Sequence, residues 1–333
     1  MQTNSMASDS GPILKVSHLT KQFSLEAGFF AKAKNSVFAV NDVSFELKKG
    51  MTYGIVGESG CGKTTTARLI IQMYRQTSGD ILYMPDEEEK KAFSTHSVAE
   101  FSKKELRRYR EKVKYIFQDP ARSLNPRLSV LNVLTAGLRY SSLWQGKEKA
   151  TADAERIIQE VGLSAQDLHR RPAEFSGGQR QRISIARGLI MNPRILVCDE
   201  VVSALDVSIQ GQIINLLQEI RKKRGLSYIF ITHDLKVACY FSDVIGVMYR
   251  GVLVEEAPAA DLYKTAAHPY TVLLFEGAQG WLSDSNAEVK TTLQKETCCP
   301  FAHRCTKATE RCRTQIPPLV QRAENHFVRC FEL

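Results

Sequence analysis

Nine consecutive residues restrict this chain more than any others: Gly57, Glu58, Ser59, Gly60, Cys61, Gly62, Lys63, Thr64 and Thr65. An apolar run over 53–56 precedes them, and a helical pattern over 64–74 follows. The spacing G-x-x-x-x-G-K-T between a strand and a helix is a P-loop. Glycine lets the backbone curl until successive N–H groups face inward toward phosphate oxygens. The helix N-terminus adds partial positive charge. Lys63 reaches the outer phosphates, and Thr64 offers a hydroxyl to Mg²⁺. The stretch specifies a nucleotide and leaves the machine open.

The 333 residues fit one large domain with an appendage, or two modest domains. No apolar run approaches the roughly 18 residues that span a bilayer. Residues 1–12 are polar and lack the apolar core of a signal peptide, so a cytoplasmic location is expected. The net charge of +9 raises nucleic acid or an anionic membrane as partners. The two densest basic tracts, over 103–108 and 221–224, fall on helical patterns and read as solvated faces, so no nucleic-acid partner is expected.

Strands are expected over 13–16 and 38–47, with a loop insertion over 26–34 between them. Phe23 precedes that loop and either stacks on a purine base or packs internally; Phe38 is the second candidate. Further strands read over 80–84 and 113–117, the latter ending at Gln118, with a helix over 103–112. Residues 119–176 show helical spacing and no strand, which predicts a helical insertion in an alternating strand–helix chain. Ser176, Gly177, Gly178 and Gln179 then open a helix over 179–191, stopped by Asn192-Pro193. This is a second anion cradle. A chain with one P-loop has a use for it only in another subunit's nucleotide site.

The apolar strand over 195–198 ends in Asp199-Glu200. Ligands bind at the carboxyl ends of parallel strands. Asp199 is expected to hold Mg²⁺ through water, and Glu200 to orient and deprotonate the attacking water. Cys198 reads as a core thiol. A loop at Ser203–Asp206, a helix over 209–222 and a buried strand over 228–232 follow, ending at His233 beside the expected γ-phosphate. A hairpin over 244–256 turns at Arg250-Gly251. Five of eight cysteines, Cys298, Cys299, Cys305, Cys312 and Cys330, crowd the last 36 residues. Four thiolates there could hold zinc or a 4Fe–4S cluster, and the C-x2-C pairs usual for zinc are absent.

In this order the P-loop, Gln118, Ser176 to Gln179, Asp199-Glu200, Ser203 to Asp206 and His233 resemble the ATP-binding cassette (ABC) transporter ATPases over roughly residues 12–260. Phe175 stands where Leu is commoner, and Val201 where Pro is usual. The resemblance implies an α/β fold: a P-loop NTPase ABC nucleotide-binding domain with an antiparallel β subdomain, an inserted helical subdomain and a small Cys-rich C-terminal extension. The expected divisions are a tail at 1–12, the ATPase at 13–262 with the insertion near 119–176, and the extension at 263–333. It also implies head-to-tail pairing, each ATP held between one P-loop and the partner's Ser176 to Gln179. Gln118 would touch Mg²⁺, sense the γ-phosphate and link to the membrane partner.

Gln118-Asp119-Pro120-Ala121-Arg122-Ser123-Leu124-Asn125-Pro126-Arg127 and His268-Pro269-Tyr270-Thr271 resemble the oligopeptide/dipeptide/nickel importers, the F-type subunit more than the D-type. That implies a D-type ATPase partner, two permease subunits, an extracytoplasmic binding protein and a place on the cytoplasmic face of the membrane. The C-P-F-x-x-R-C tail with two further cysteines resembles family members that carry a 4Fe–4S cluster, which makes Cys299, Cys305, Cys312 and Cys330 the implied ligands. Alternatives are a DNA-repair ATPase, disfavoured by the lack of sustained heptads, a two-cassette translation factor, disfavoured by the single P-loop, and a redox-regulatory protein.

Overall fold

The computed structural model describes residues 11–24, 36–278 and 298–332. The expected loop insertion over 26–34, and nearly all of the expected tail at 1–12, lie outside the described residues. The strands, in chain order, are β1 (Pro12–Ser24), β2 (Ser36–Lys48), β3 (Thr52–Val56), β4 (Ser78–Tyr83), β5 (Val113–Ile116), β6 (Ile195–Asp199), β7 (Ser227–Thr232), β8 (Val244–Tyr249), β9 (Val252–Pro258), β10 (Val320–Ala323) and β11 (His326–Val328). They form two sheets. One is antiparallel, in the order β2-β1-β4; the other runs β10-β11-β9-β8-β3-β7-β6-β5. Within the large sheet β8, β3, β7, β6 and β5 are parallel, and β9 and β11 add antiparallel edges.

The largely apolar runs of β3 and β7 follow from position. Strands covered on both faces lose the polar alternation of half-exposed ones, and every residue of β3, β6 and β7 is buried. Alternate residues serve opposite faces. Leu196, Cys198, Tyr228 and Phe230 join one core with the helices at 119–189. Ile195, Val197, Ile229, Ile231, Tyr53 and Ile55 join another with the small antiparallel sheet. A third core gathers Val56, Tyr249, Tyr270, Phe301, Cys299 and Cys312.

Several boundaries differ from the sequence reading. β1 runs on to Ser24 rather than stopping near Val16, because its outer half pairs with both Ser36 to Val40 and Ser78. The helix after the P-loop spans Lys63–Ile70, not 64–74. Gln72 takes a left-handed backbone (φ 55°), and the N–H groups of Met73 and Tyr74 both turn back to the Arg68 carbonyl. The helical pattern over 130–140 splits into Val130–Thr135 and a tight turn at Leu138–Tyr140. The signature helix begins at Gly177, two residues early, because Ser176 and Gln179 form a reciprocal cap.

One buried carboxylate ties the residues beyond 258 to the sheet at three points. Glu255 of β9 accepts from the backbone N–H of Ala267 (2.8 Å), the N–H of His268 (3.0 Å) and His326 Nε2 of β11 (2.8 Å). His268 is itself buried, and its Nδ1 accepts the Tyr270 N–H at 3.1 Å, which requires the neutral ring. Burial pushes its pKa down to about 4.

The sign of the consequence is fixed. Between the ordinary His value near 6.5 and about 4, an unfolded chain binds a proton at residue 268 that the folded chain refuses. Stability from this group is complete above pH 6.5 and is lost as pH falls toward 4, by up to about 1.4 kcal/mol per pH unit. Thermal melts across that range should show the slope in the wild type. His268→Asn, whose side-chain oxygen can accept the same N–H, should flatten it.

Candidate functional site

The register of the large sheet brings three loops to one level. Val56 pairs with Thr232, and Asp199 with Ile231, so β3, β6 and β7 end in nearly the same rank. The P-loop, Asp199-Glu200 and His233 therefore leave the sheet side by side.

In the P-loop, glycine is required at Gly57 and Gly62. A Cβ at Gly57 would lie 2.1 Å from the Met248 carbonyl oxygen. At Gly62 (φ 109°) it would lie 2.3 Å from that of Ala39. Lys63 is buried, with Nζ donating to the carbonyls of Gly57 (2.7 Å) and Glu58 (2.9 Å). Its ammonium thus lies under the loop that should receive phosphate. Cys61 is buried beside it, and burial pushes that thiol up, as befits a packing group. The Thr64 hydroxyl donates to Asp199 Oδ1 at 3.1 Å, and Tyr115 of β5 donates its hydroxyl to Oδ2. Asp199 is only 2% exposed. Burial raises its pKa against the pull of both hydroxyls, and Glu200 adds repulsion. A carboxylate held so, beside a threonine hydroxyl, fits a divalent cation.

Glu200 has a left-handed backbone (φ 48°), uncommon for a residue with a side chain. Its N–H donates to the Ile231 carbonyl (2.9 Å), and its carbonyl accepts from the Ser203 hydroxyl (2.9 Å). Its carboxylate takes a hydrogen bond from Gln118 Nε2 at 2.6 Å and lies 3.7 Å from His233 Nδ1. Thus Gln118, Glu200 and His233 meet, as do Thr64 and Asp199, while the Lys63 ammonium stays under the P-loop.

Ser176, Gly177, Gly178 and Gln179 stand apart from these groups. The Ser176 hydroxyl accepts the Gln179 N–H, and Gln179 Oε1 accepts the Ser176 N–H at 3.0 Å. A Cβ at Gly178 would sit 2.8 Å from Ile209, and one at Gly177 3.7 Å from Leu205, so this turn packs on the segment after Glu200. Phe175 is buried under the Arg170 guanidinium (4.2 Å), and Val201 is buried too, so both departures from the family pattern are packing residues. Phe23 meets Tyr74 edge-on at 5.6 Å, with Lys21 Nζ 5.0 Å from its ring.

Three contacts escaped the sequence reading. Tyr115 was visible only as a strand residue; its alternation with Ile116 was the available signal. Arg304 and Tyr270, at the far end of the chain, both reach Glu58.

The C-terminal cysteines lie close together. Cys299 and Cys312 are buried, and the Cys299 N–H donates to the Cys312 carbonyl at 2.9 Å. Burial pushes the Cys299 thiol up to about 11, with backbone N–H groups of Phe301 and Ala302 pulling down and Cys312 and Cys330 pushing further up. Cys330 is also raised, first by burial; the Glu332 N–H donates to its sulfur (3.4 Å), and Cys305 and Cys312 lie within electrostatic range. Among the described residues no three His, Cys, Asp or Glu side chains are grouped to hold a single metal ion.

A model of the ABC transporter family matches residues 40–203, and one of the oligopeptide/dipeptide transporter C-terminal region matches residues 254–312. The oligopeptide transport ATP-binding protein OppF of Bacillus subtilis (strain 168) is 41% identical over 320 residues, covering 96% of each chain. The dipeptide transport ATP-binding protein DppF of Haemophilus influenzae (strain ATCC 51907 / DSM 11121 / KW20 / Rd) is 36% identical over 333 residues, covering 98% of each. Among solved structures, a dimeric post-hydrolysis state of the ATP-binding cassette MJ0796 bound to ADP and Pi superposes with a TM-score of 0.61 at 25% identity, covering 74% of this chain and 98% of that one.

Asp199→Asn separates the cost of the site from its use. Removing a buried, repelled charge should raise the melting temperature of the nucleotide-free chain by about 2 °C, near 1 kcal/mol. Mg²⁺-dependent tightening of ATP binding should vanish in the same variant. Calorimetry and nucleotide titration with and without Mg²⁺ check the two halves.

Proposed function

The chain belongs to the ATP-binding subunits of the oligopeptide/dipeptide ABC transporters, and on that premise we propose how its residues divide the work. It is an ATPase that powers peptide import by such a transporter. The observation that carries the division of labour is the meeting of Gln118, Glu200 and His233 beside the Thr64–Asp199 contact.

Gly57, Ser59, Gly60, Cys61, Gly62 and Thr65 surround the ATP phosphates with backbone N–H groups and the helix N-terminus, and Phe23 stacks on the base. Lys63 leaves its two loop carbonyls for phosphate oxygens. Thr64, Asp199 and Gln118 would hold Mg²⁺, which would supply charge neutralisation. Glu200 accepts a proton from the water that attacks the γ-phosphorus, as the bond from that phosphorus to the ADP oxygen breaks. His233, 3.7 Å from Glu200, contacts the γ-phosphate and keeps the carboxylate turned toward the water. Gln118, bonded to Glu200 at rest, releases it when phosphate and Mg²⁺ arrive. The second cradle, Ser176 to Gln179, serves the nucleotide of a partner ATPase, and a D-type subunit is the reading the sequence favours.

Two permease subunits and an extracytoplasmic binding protein complete the assembly, and this chain sits on the cytoplasmic face of the membrane. Among the described residues no helix is long and apolar enough to cross a membrane. The division into an ATPase at 13–262 and an extension at 263–333 is supported by the separate match at 254–312. The DNA-repair and redox-regulatory alternatives gain no support from the relatives.

Cys299, Cys305, Cys312 and Cys330 hold a 4Fe–4S cluster in this reading. Two facts support the fit: Cys299 lies in electrostatic range of Cys312 and Cys330, and Cys330 in that of Cys305 and Cys312, and N–H groups already point at the sulfurs of Cys299 and Cys330. When bound, the cluster supplies order to a short segment with little core of its own.

Glu200→Gln should keep ATP binding, accumulate a closed dimer and lower steady-state hydrolysis in the assembled transporter by at least about a hundredfold. Unchanged turnover would sink the role given to Glu200. Purified without oxygen, the chain should show broad visible absorbance and about four irons. Cys305→Ala should lose that iron while still binding ATP; stoichiometric zinc in the wild type, or full iron in the variant, reverses the assignment.

A further inference from the structure

Glu58 is the first residue after Gly57 in the P-loop, and its carboxylate brings negative charge to a loop that must receive a polyanion. Two residues from the far end of the chain hold it. The Tyr270 hydroxyl accepts the Glu58 backbone N–H at 2.9 Å. Arg304 Nη1 contacts both carboxylate oxygens, at 3.0 and 2.9 Å. Neither contact belongs to the strand–loop–helix unit that forms the P-loop.

The position of Arg304 is set by packing against one ring of the large sheet and one of the C-terminal segment. Its guanidinium lies 5.9 Å from the Tyr249 ring and 5.8 Å from that of Phe301. Those rings and Tyr270 form one cluster, with centroids 4.5 to 5.5 Å apart. Cys305 follows directly, its N–H donating to the Phe301 carbonyl at 3.1 Å. On the other side, Lys63 Nζ rests on the Glu58 carbonyl at 2.9 Å. A continuous chain of contacts therefore runs from the cysteine segment through Arg304 and Glu58 to the phosphate-binding lysine.

We propose that Arg304 and Tyr270 are positioning residues of the ATP site: Arg304 cancels the Glu58 charge that would repel the phosphates, and Tyr270 pins the loop backbone in its receiving shape. The inference rests on Gly57 to Thr65 binding ATP. It makes the C-terminal segment a working part of the nucleotide site, so the state of that segment is felt at the phosphates. The pair is partly solvent-exposed, with side chains 30% and 42% accessible, which bounds the effect. Such pairs contribute modestly, which corresponds to about twofold to fivefold in affinity.

The test uses the full chain, titrated with a fluorescent ATP analogue, and the assembled transporter for KM and kcat. Wild-type binding comes first; its absence would remove the nucleotide reading itself. Given wild-type binding, Arg304→Ala should raise Kd and KM for ATP about twofold to fivefold with kcat little changed. Arg304→Lys should retain most of the affinity, and Tyr270→Phe should cause a smaller rise. The deciding variant is Glu58→Gln in the Arg304→Ala background. It should return Kd to near the wild-type value, because no charge is left to cancel. A role for Arg304 in tail packing alone predicts no such rescue. Unchanged affinity in Arg304→Ala, or failure of Glu58→Gln to restore it, overturns the proposal. Should Arg304→Ala not fold, Glu58→Gln alone decides: it should bind ATP at least as tightly as wild type, and weaker binding overturns the proposal.

Discussion

The hydrogen bond from Thr64 to Asp199 joins residues 135 positions apart, and the geometry of the candidate site depends on it. It exists because β3, β7 and β6 pair in a register that ends all three at one height. A slip of one residue would move a loop by about 3.3 Å along the strand and turn each side chain to the opposite face. The slip is prevented by the two cores. Alternate residues of β6 and β7 are committed to different partners, the helical block on one side and the antiparallel sheet on the other. Apolar burial on both faces therefore fixes a polar contact that neither core contains.

The same logic reaches the small sheet and the C-terminal segment. Gly62 admits no Cβ because the Ala39 carbonyl lies against it, so β2 shapes the floor of the P-loop. Val56, the last residue of β3, shares a core with Tyr270, Phe301 and two of the cysteines. The P-loop is thus gripped from below by the antiparallel sheet and from the side by residues more than 200 positions downstream.

Much of this was legible in the residues. The P-loop, Asp199-Glu200, His233 and the Ser176 to Gln179 cradle announce themselves because each combines a local backbone demand with a chemical one. The strand over 228–232 and the hairpin over 244–256 were legible because burial on both faces leaves long apolar runs. What the sequence concealed was decided at a distance. β1 is extended to Ser24 by partners in β2 and β4, not by its own alternation. The helix after the P-loop stops at Ile70 because Gln72 adopts a left-handed backbone that its residue type does not advertise. Tyr115 and Arg304 act on residues 84 and 246 positions away, and no spacing rule connects them.

Glu200 sits in a left-handed backbone, and Asp199 carries a buried, repelled charge. Each makes the folded chain less stable than a simpler residue would. A glycine at 200 or an asparagine at 199 would relax the molecule and, on the roles proposed for them, silence it. Folding therefore offers the two acids no protection against drift. In a duplicated copy freed from its work, the thermodynamically easy path leads to a sturdier protein that still grips nucleotide and no longer spends it. The two acids persist only for as long as turnover itself is selected.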